Sequence, residues 1–414
     1  MTETILRPTV AIIGAGPSGL RAARELAPVV SGSVLVIDRE REAGGIPRHA
    51  DHLGYGIRDL RRFLTGPVYA RRLVDDATRA GAEIRTGVQA VGWEENRLQL
   101  VSPAGPELLD PEVLILATGA RERPRAARMV PGDRAAGVYT TGQLQQLVHL
   151  KHRQVGTQAV VVGAELVSWS AVMTLRQAGC RTQMLVTSYP RPDSYRLFCG
   201  PGSLWFRTRV ATSSRVVRVE GRGRVEAVVV ENLTTGQQQR VECDTVVFTG
   251  DWVPDHELAR MAGIEIDPGS LSPSVDASLR TSRDGVFAIG NLVHPVETAD
   301  VAALDGVQVT RPVQDYLLGK RPSACGYRIV AEAPLRWVTP NRIDPGDPTP
   351  ARGRLVAWTD RYLRTPTVSA YQDGRLLRRL RLPWPAAPGR AFRVPAQVLA
   401  GAQPGEAAVT ISVA

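Results

Sequence analysis

Short, mostly apolar runs recur along most of the chain, at 10–13, 33–37, 113–116, 159–162, 182–186, 244–248 and 286–289. Each is too short for a helix and lacks the alternation of a half-exposed strand, so each predicts a strand buried on both faces of a sheet. Helix-spaced apolar positions follow several of them. Leu20, Ala22, Ala23 and Leu26 succeed the first run, and Leu60, Phe63, Leu64, Tyr69 and Leu73 predict an amphipathic helix over 59–79. Strand followed by helix, repeated, predicts an α/β chain with parallel sheets. The pattern changes after 320. A proline- and aspartate-rich stretch at 340–353 reads as a linker, flanked by short strands at 327–331, 354–358, 367–371, 376–382 and 408–413, with a hairpin turn at Asp373-Gly374. This predicts a small β-rich unit with an arginine-rich face of Arg375, Arg378, Arg379 and Arg381.

A length of 414 residues implies two or three domains. The net charge of +10 raises the question of nucleic acid. The basic residues, arginine except for Lys151 and Lys320, are spread along the chain with no aromatic-interleaved basic stripe, so we expect no nucleic-acid groove. An anionic substrate or an acidic protein partner fits that surface better. The cysteines, Cys180, Cys199, Cys243 and Cys325, are scattered without a CxxC, which argues against a dithiol centre, an iron–sulfur cluster or a zinc site in this chain. No apolar stretch approaches a membrane span and the N-terminus lacks a signal-peptide pattern, so a cytoplasmic protein is expected.

Chemistry enters at the first run. It ends in Gly14-Ala15-Gly16-Pro17-Ser18-Gly19, the glycine spacing of a dinucleotide-binding turn. The first glycine permits the tight turn, the second lets the backbone approach a pyrophosphate, and the third lets the helix pack close to the strand. The N–H groups at the helix start attract the anion. The second run ends in Asp38, followed by Arg39, where an acid is required for the ribose hydroxyls.

A paired glycine, Gly44-Gly45, follows Asp38, and the run at 113–116 ends in Ala117-Thr118-Gly119. In this order the motifs resemble the flavoproteins with two dinucleotide-binding domains, the thioredoxin reductase and glutathione reductase superfamily. The resemblance implies an α/β fold of two Rossmann-like domains, an FAD domain with an inserted NAD(P)-type domain, here with a small C-terminal β domain. The boundaries it suggests are 1–122 and 246–325 for the FAD domain, 123–245 for the insert and 326–414 for the β domain. It further implies that the first fingerprint takes FAD, that Gly45 and Ile46 run along it, that Ala90 lies beside the adenine, and that Ala117, Thr118 and Gly119 border the pyrophosphate. Arg48 and His49 would lie near the isoalloxazine or the substrate cavity, or else are charges of a solvated loop. The run ending in Gly290-Asn291 matches the family's last FAD marker, with asparagine for the usual aspartate. The helix that begins near Thr298 and Ala299 would point its N-terminus at the flavin pyrimidine edge, which makes His294 and Glu297 candidate catalytic residues, together with His49 of the paired-glycine loop.

The inserted segment repeats the strand–turn–helix as Gly163-Ala164-Glu165-Leu166-Val167-Ser168, with Glu165 and Ser168 in place of the second and third glycines. A carboxylate where an anion must approach predicts weak or absent NAD(P)H binding. Tyr195 to Cys199 and Trp205 to Arg207 concentrate aromatic residues and arginine, which suits a docking surface or a packed loop. Within the superfamily, GGIPRH, GAELVS and GNLVHPVETADVAALDG look similar to the flavoprotein subunits of opine oxidase and hydrogen cyanide synthase type, a branch without the disulfide. That likeness implies an FAD-dependent oxidoreductase passing electrons from a small amine, amino acid or similar substrate to a partner subunit, quinone or oxygen. The partner would be a flavoprotein or iron–sulfur subunit, and the protein could form an oligomer. Two other readings stay open: an NAD(P)H-dependent flavin reductase or monooxygenase, and a non-catalytic FAD-binding scaffold.

Overall fold

A computed structural model describes residues 4–192, 194, 202, 204–320, 326–405 and 407–414. Tyr195 to Cys199 and Cys325 lie outside these residues. The chain divides into two compact units, one of Met1–Arg48, Gly54–Ala120 and Pro254–Ala414, the other of His49–Leu53 and Arg121–Val253.

The first unit is built on a five-stranded parallel sheet in the order Val286–Ala288, Val113–Leu116, Val10–Ile13, Val34–Asp38, Glu83–Thr86. Its central strands are apolar because both faces are covered: Val10, Ala11, Ile12, Val36 and Ile115 are fully buried. Each of the larger of these side chains contributes roughly 1.5–3 kcal/mol by leaving water. The Pro17–Leu26 helix packs against the Ala299–Gln308 helix, closely enough that a Cβ on Gly306 would sit 2.5 Å from the Ala22 nitrogen. The helix predicted over 59–79 begins later, at Gly66–Arg79. Pro67 explains the shift. Its fixed φ and missing N–H suit the first turn of a helix and not its interior.

The C-terminal segment forms two sheets over one core. One has five strands in the order Arg342–Ile343, Tyr327–Ala331, Val409–Val413, Thr367–Gln372, Arg375–Arg381, and the other has Leu335–Thr339, Arg354–Thr359 and Phe392–Pro395. Val368, Ala370, Leu355, Ala357, Phe392, Val394 and Ile411 meet between them. The stretch read as a linker is tied down here: Asp344 and Asp347 join Arg342, Arg280 and Ser278.

The second unit has a five-stranded parallel sheet in the order Val138–Thr140, Thr245–Phe248, Gln158–Val162, Arg181–Val186, Arg209–Ala211, with the Leu166–Gln177 helix packed on it. A three-stranded antiparallel sheet, Ser214–Glu220, Ala227–Asn232 and Gln238–Glu242, completes it. Two Rossmann-like parallel sheets, one in each unit, are the centre of the α/β architecture, and a four-stranded sheet of Thr4–Leu6, Gly105–Leu109, Arg97–Ser102 and Gln89–Glu94 also belongs to the first unit. Among the described residues no helix is long and apolar enough to cross a membrane.

Candidate functional site

The first fingerprint forms a cradle open on one side. Gly14 has φ +115°, and a Cβ there would overlap the Ala117 carbonyl oxygen; a Cβ on Gly19 would overlap the Gly14 carbonyl. These two glycines let the turn, the Ala117 strand end and the helix approach one another. Gly16 differs, because a Cβ on it would meet nothing within 4 Å. It is also the N-cap of the Pro17–Leu26 helix and offers no side-chain cap, so the first-turn N–H groups, including those of Ser18 and Gly19, are not covered by one. The loop at 44–45 lies against this turn: Gly44 N–H donates to the Ala15 carbonyl at 2.8 Å, and a Cβ on Gly45 would come within 2.8 Å of Gly16 Cα.

Asp38 closes the cradle. It is 9% exposed and accepts from Ala15 N–H at 2.7 Å and Glu40 N–H at 2.8 Å. Burial pushes its carboxyl above the usual range against the pull of those two donors. Val88 N–H donates to the Asp38 carbonyl at 3.0 Å, which brings the start of the Gln89–Glu94 strand, with Ala90, beside the acid. Arg39 is mostly exposed and reaches Asp255 at 3.3 Å. Thr118 Oγ1 donates to the Asp255 carbonyl at 2.7 Å and Asp255 N–H to the Gly119 carbonyl at 2.9 Å, so the Ala117-Thr118-Gly119 strand end is stapled to the returning chain. Ile46 is exposed. Arg48 reaches the loop acids Glu42 and Glu40, at 3.2 and 3.5 Å, but its side chain is only 15% exposed and its Nε is buried without a partner. His49 is buried and belongs to the second unit, as does His52, whose Nε2 lies 2.6 Å from Ser170 Oγ.

The loop from Gly290 to Thr298 is held by three ion pairs whose acids are buried. Gly290, with φ +70°, packs on Ser18, where a Cβ would overlap the Ser18 hydroxyl. Asp305 Oδ2 takes the Gly290 N–H at 2.9 Å and His294 Nε2 at 2.6 Å. Glu297 accepts at both oxygens from Arg393 Nη2, at 2.9 and 2.7 Å. Asp300, in the first turn of the Ala299–Gln308 helix where the dipole favours an acid, accepts from Arg58 N–H at 3.0 Å and Arg58 Nη1 at 3.4 Å. Thr298 spends its hydroxyl on Asp300 and leaves that helix start without a side-chain cap. Asn291 Nδ2 donates to the Glu297 carbonyl at 2.9 Å, but Asn291 Oδ1 and His294 Nδ1 are buried with no partner. Buried polar atoms are seldom left so.

Of the candidate residues, this loop unites Gly290, Asn291, His294, Glu297, Thr298 and Ala299, and Gly290 joins them to the fingerprint through Ser18. Sequence reasoning misses Asp305, Arg393, Asp300 and Arg58. An acid in a helix first turn is a readable signal for Asp300. Nothing local to His294 or Glu297 announces the other partners.

The His294–Asp305 pair carries a pH signature. Burial disfavours a charged imidazole, but the Asp305 carboxylate outweighs it and holds His294 above its usual value; Asp305 is held below its own, despite burial, by His294 and the Gly290 N–H. A histidine with a raised folded pKa gives stability that is complete below its unfolded value of about 6.5 and lost as pH rises through the folded value. Denaturant titrations at rising pH above about 6.5 are expected to show this loss in the native protein and not in His294→Gln.

The second fingerprint is built differently. Glu165 Oε2 accepts from Ser168 Oγ at 2.7 Å and Thr249 Oγ1 at 3.0 Å, and a Cβ on Gly163 or Gly250 would overlap the same carboxylate. The Glu165 side chain occupies this turn, and burial pushes its carboxyl above the usual range against the pull of Ser168 and Thr249. Nearby Glu122 takes the Gly142 N–H at 3.0 Å, and burial pushes its carboxyl up to about 7. Cys180 and Cys243 are buried and free.

The first site fits FAD on its own geometry. Gly16 borders open space beside an uncapped helix start, Asp38 stands at the end of the second strand, and two buried polar atoms of the last loop lack partners. Comparison with known proteins agrees. Residues 8–306 match the family described as pyridine nucleotide-disulphide oxidoreductase. The chain is 30% identical over 297 residues to the biphenyl dioxygenase system ferredoxin--NAD(+) reductase component of Paraburkholderia xenovorans (strain LB400), a match covering 69% of this chain and 67% of that protein. It is 24% identical over 312 residues to an opine oxidase subunit of Rhizobium meliloti, covering 68% of this chain and 58% of the relative, so the chain spans little more than half of that protein's length. T. acidophilum thioredoxin reductase superposes with a TM-score of 0.63 at 19% identity, over 75% of this chain and 99% of that one, which shows a shared fold. The protein belongs to the pyridine nucleotide-disulphide oxidoreductase family and is an FAD-dependent oxidoreductase.

Proposed function

We propose that this protein oxidises a small amine or amino acid at FAD and passes the electrons to a partner subunit, quinone or oxygen, without taking them from NAD(P)H. The observation that carries this reading is the asymmetry of the two fingerprints: Gly16 opens the first, and the Glu165 carboxylate fills the second. FAD, when bound, supplies the two-electron acceptor for a hydride equivalent from the carbon next to the substrate nitrogen. The nitrogen lone pair then forms the C=N bond and the N–H proton goes to solvent or to a base. Gly14, Ala15, Gly16, Pro17, Ser18 and Gly19 would hold the pyrophosphate, Asp38 the ribose, and Ala117, Thr118, Gly119, Gly290 and Asn291 the remaining polar length of the cofactor. The uncapped start of the Ala299–Gln308 helix would stabilise negative charge at the pyrimidine edge. His294, with Nε2 committed to Asp305, keeps Nδ1 as the atom at which a proton is held or moved. Glu297, with both oxygens on Arg393, is better suited to positioning than to accepting a proton.

In this reading 1–122 and 246–325 serve as the FAD domain, 123–245 as an insert that has lost its nucleotide, and 326–414 as a support for the active-site loop, in a cytoplasmic enzyme. The relatives' names, a reductase component of a dioxygenase system and one subunit of an oxidase, support a partner subunit. The test is a panel of primary and secondary amines and amino acids mixed anaerobically with the FAD-loaded protein. Bleaching by at least one member supports the reading, and failure of the whole panel removes it. The ferredoxin--NAD(+) reductase relative favours a second reading, an NADH-dependent reductase, for which the Glu165 carboxylate would have to move.

A further inference from the structure

Arg393 comes from the Phe392–Pro395 strand of the C-terminal sandwich, beyond the segment 8–306 that matches the family. It reaches the loop before the Ala299–Gln308 helix from outside that segment. Its backbone is fixed: Phe392 and Val394 on either side are buried, and Trp384 Nε1 donates to the Arg393 carbonyl at 3.0 Å. Its contact with Glu297 is unusual for a purely structural pair. An arginine that ties two domains together usually meets a carboxylate fork to fork, through two nitrogens. Here Nη2 alone reaches both Glu297 oxygens, at 2.9 and 2.7 Å, so the Nε–H and Nη1 donors lie outside the pair. The Glu297 side chain is 2% exposed, whereas a quarter of the Arg393 side chain, 25%, remains open. Of the other charges on this loop, Asp300 is matched by Arg58 and His294 by Asp305.

We infer that Arg393, held in place by Glu297, receives the carboxylate of the substrate, so that the enzyme takes amino acids and not simple amines. This rests on the function proposed above. Glu297 is then a positioning residue: it fixes one nitrogen of the guanidinium and leaves the planar edge formed by Nε and Nη1 to meet two carboxylate oxygens. The C-terminal sandwich thereby supplies the specificity of a site whose cofactor chemistry belongs to the first domain.

The wild-type protein alone gives a first test. The FAD-loaded enzyme is mixed anaerobically with sarcosine and with L-proline, and with their counterparts lacking the carboxylate, dimethylamine and pyrrolidine. The acids are expected to bleach the flavin about a hundredfold more efficiently, the order of loss when a buried charge-assisted pair cannot form. A binding measurement follows without turnover. Sodium acetate is titrated into the oxidised holoenzyme, and a saturable shift of the flavin absorbance is expected in the wild type, weakened about a hundredfold in Arg393→Gln and partly restored in Arg393→Lys. Equal rates with acids and amines, or an acetate response that Arg393→Gln leaves unchanged, would overturn this inference while the amine-oxidising reading stands. Absence of bleaching by any of the four compounds and of any acetate response would overturn it too, and the substrate panel then decides the reading beneath it. Should Arg393→Gln fail to load FAD, the wild-type comparison of acid with amine still decides.

Discussion

Gly14→Ala is expected to abolish FAD binding. Gly14 sits at φ +115°, where an L side chain is strained, and its Cβ would overlap the Ala117 carbonyl oxygen and come within 2.8 Å of the Ala117 carbonyl carbon. Those atoms are backbone on the neighbouring strand end and cannot swing aside as a flexible side chain would. Relief requires the Ala117-Thr118 segment to move, yet Thr118 and Gly119 are stapled to Asp255. Strain of about 1–3 kcal/mol from the dihedral alone, with the steric displacement added, predicts at least a thousandfold loss of affinity, about 4 kcal/mol. The check is the ratio of FAD to protein after purification, then the dissociation constant of the reconstituted variant. Gly81→Ala is the control. Gly81 has φ +98°, but a Cβ there meets nothing within 4 Å, so the backbone is similarly strained without the clash and FAD should be retained.

The second large effect is a gain. Glu165→Gly should tighten NADPH binding about a hundredfold. Burial pushes the Glu165 carboxyl above its usual range, so the gain comes chiefly from the room opened beside Gly163 and Gly250, and a hundredfold corresponds to roughly 2.7 kcal/mol. Glu165→Gln separates the causes. It removes the charge but keeps the volume against Gly163 and Gly250, so a gain of only about tenfold is expected. Quenching of protein fluorescence by NADPH measures both. Unchanged affinity in both variants would mean that something other than Glu165 closes the second fingerprint.

What can be read from sequence divides by locality. The fingerprint, Asp38, the paired glycines and the damaged second turn are legible because each is a local pattern whose chemistry follows from spacing. Both parallel sheets are legible because a strand buried on both faces must be apolar throughout, as Val10–Ile13 and Thr245–Phe248 largely are. The start of the helix at Gly66 is misplaced because Leu60 and Phe63 keep the helical spacing, although Phe63 is 63% exposed and Pro67 marks the true first turn. The Leu335–Thr339 and Phe392–Pro395 strands escape notice, since proline borders both and hides their alternation. The partners of the loop from Gly290 to Thr298 are not legible at all. Arg393 reaches Glu297 across 96 positions. Asp305 reaches His294 only through the packing of Gly290 on Ser18 and Gly306 on Ala22, which brings loop and helix together. Long-range ion pairs of this kind leave no periodic trace. The roles open to His294 and Glu297 therefore follow from their carboxylate and guanidinium partners, which only the fold reveals.

The most direct test is one anaerobic absorbance series on the FAD-loaded protein: oxidised, then with NADH, then with NADPH, then with an amino acid that the substrate panel has shown to be active. Flavin bands are expected to persist through both nicotinamide additions and to bleach on the last. Rapid bleaching by NADH or NADPH would contradict the proposed function, because the Glu165 carboxylate would then not exclude the nucleotide and electrons would enter from the inserted domain.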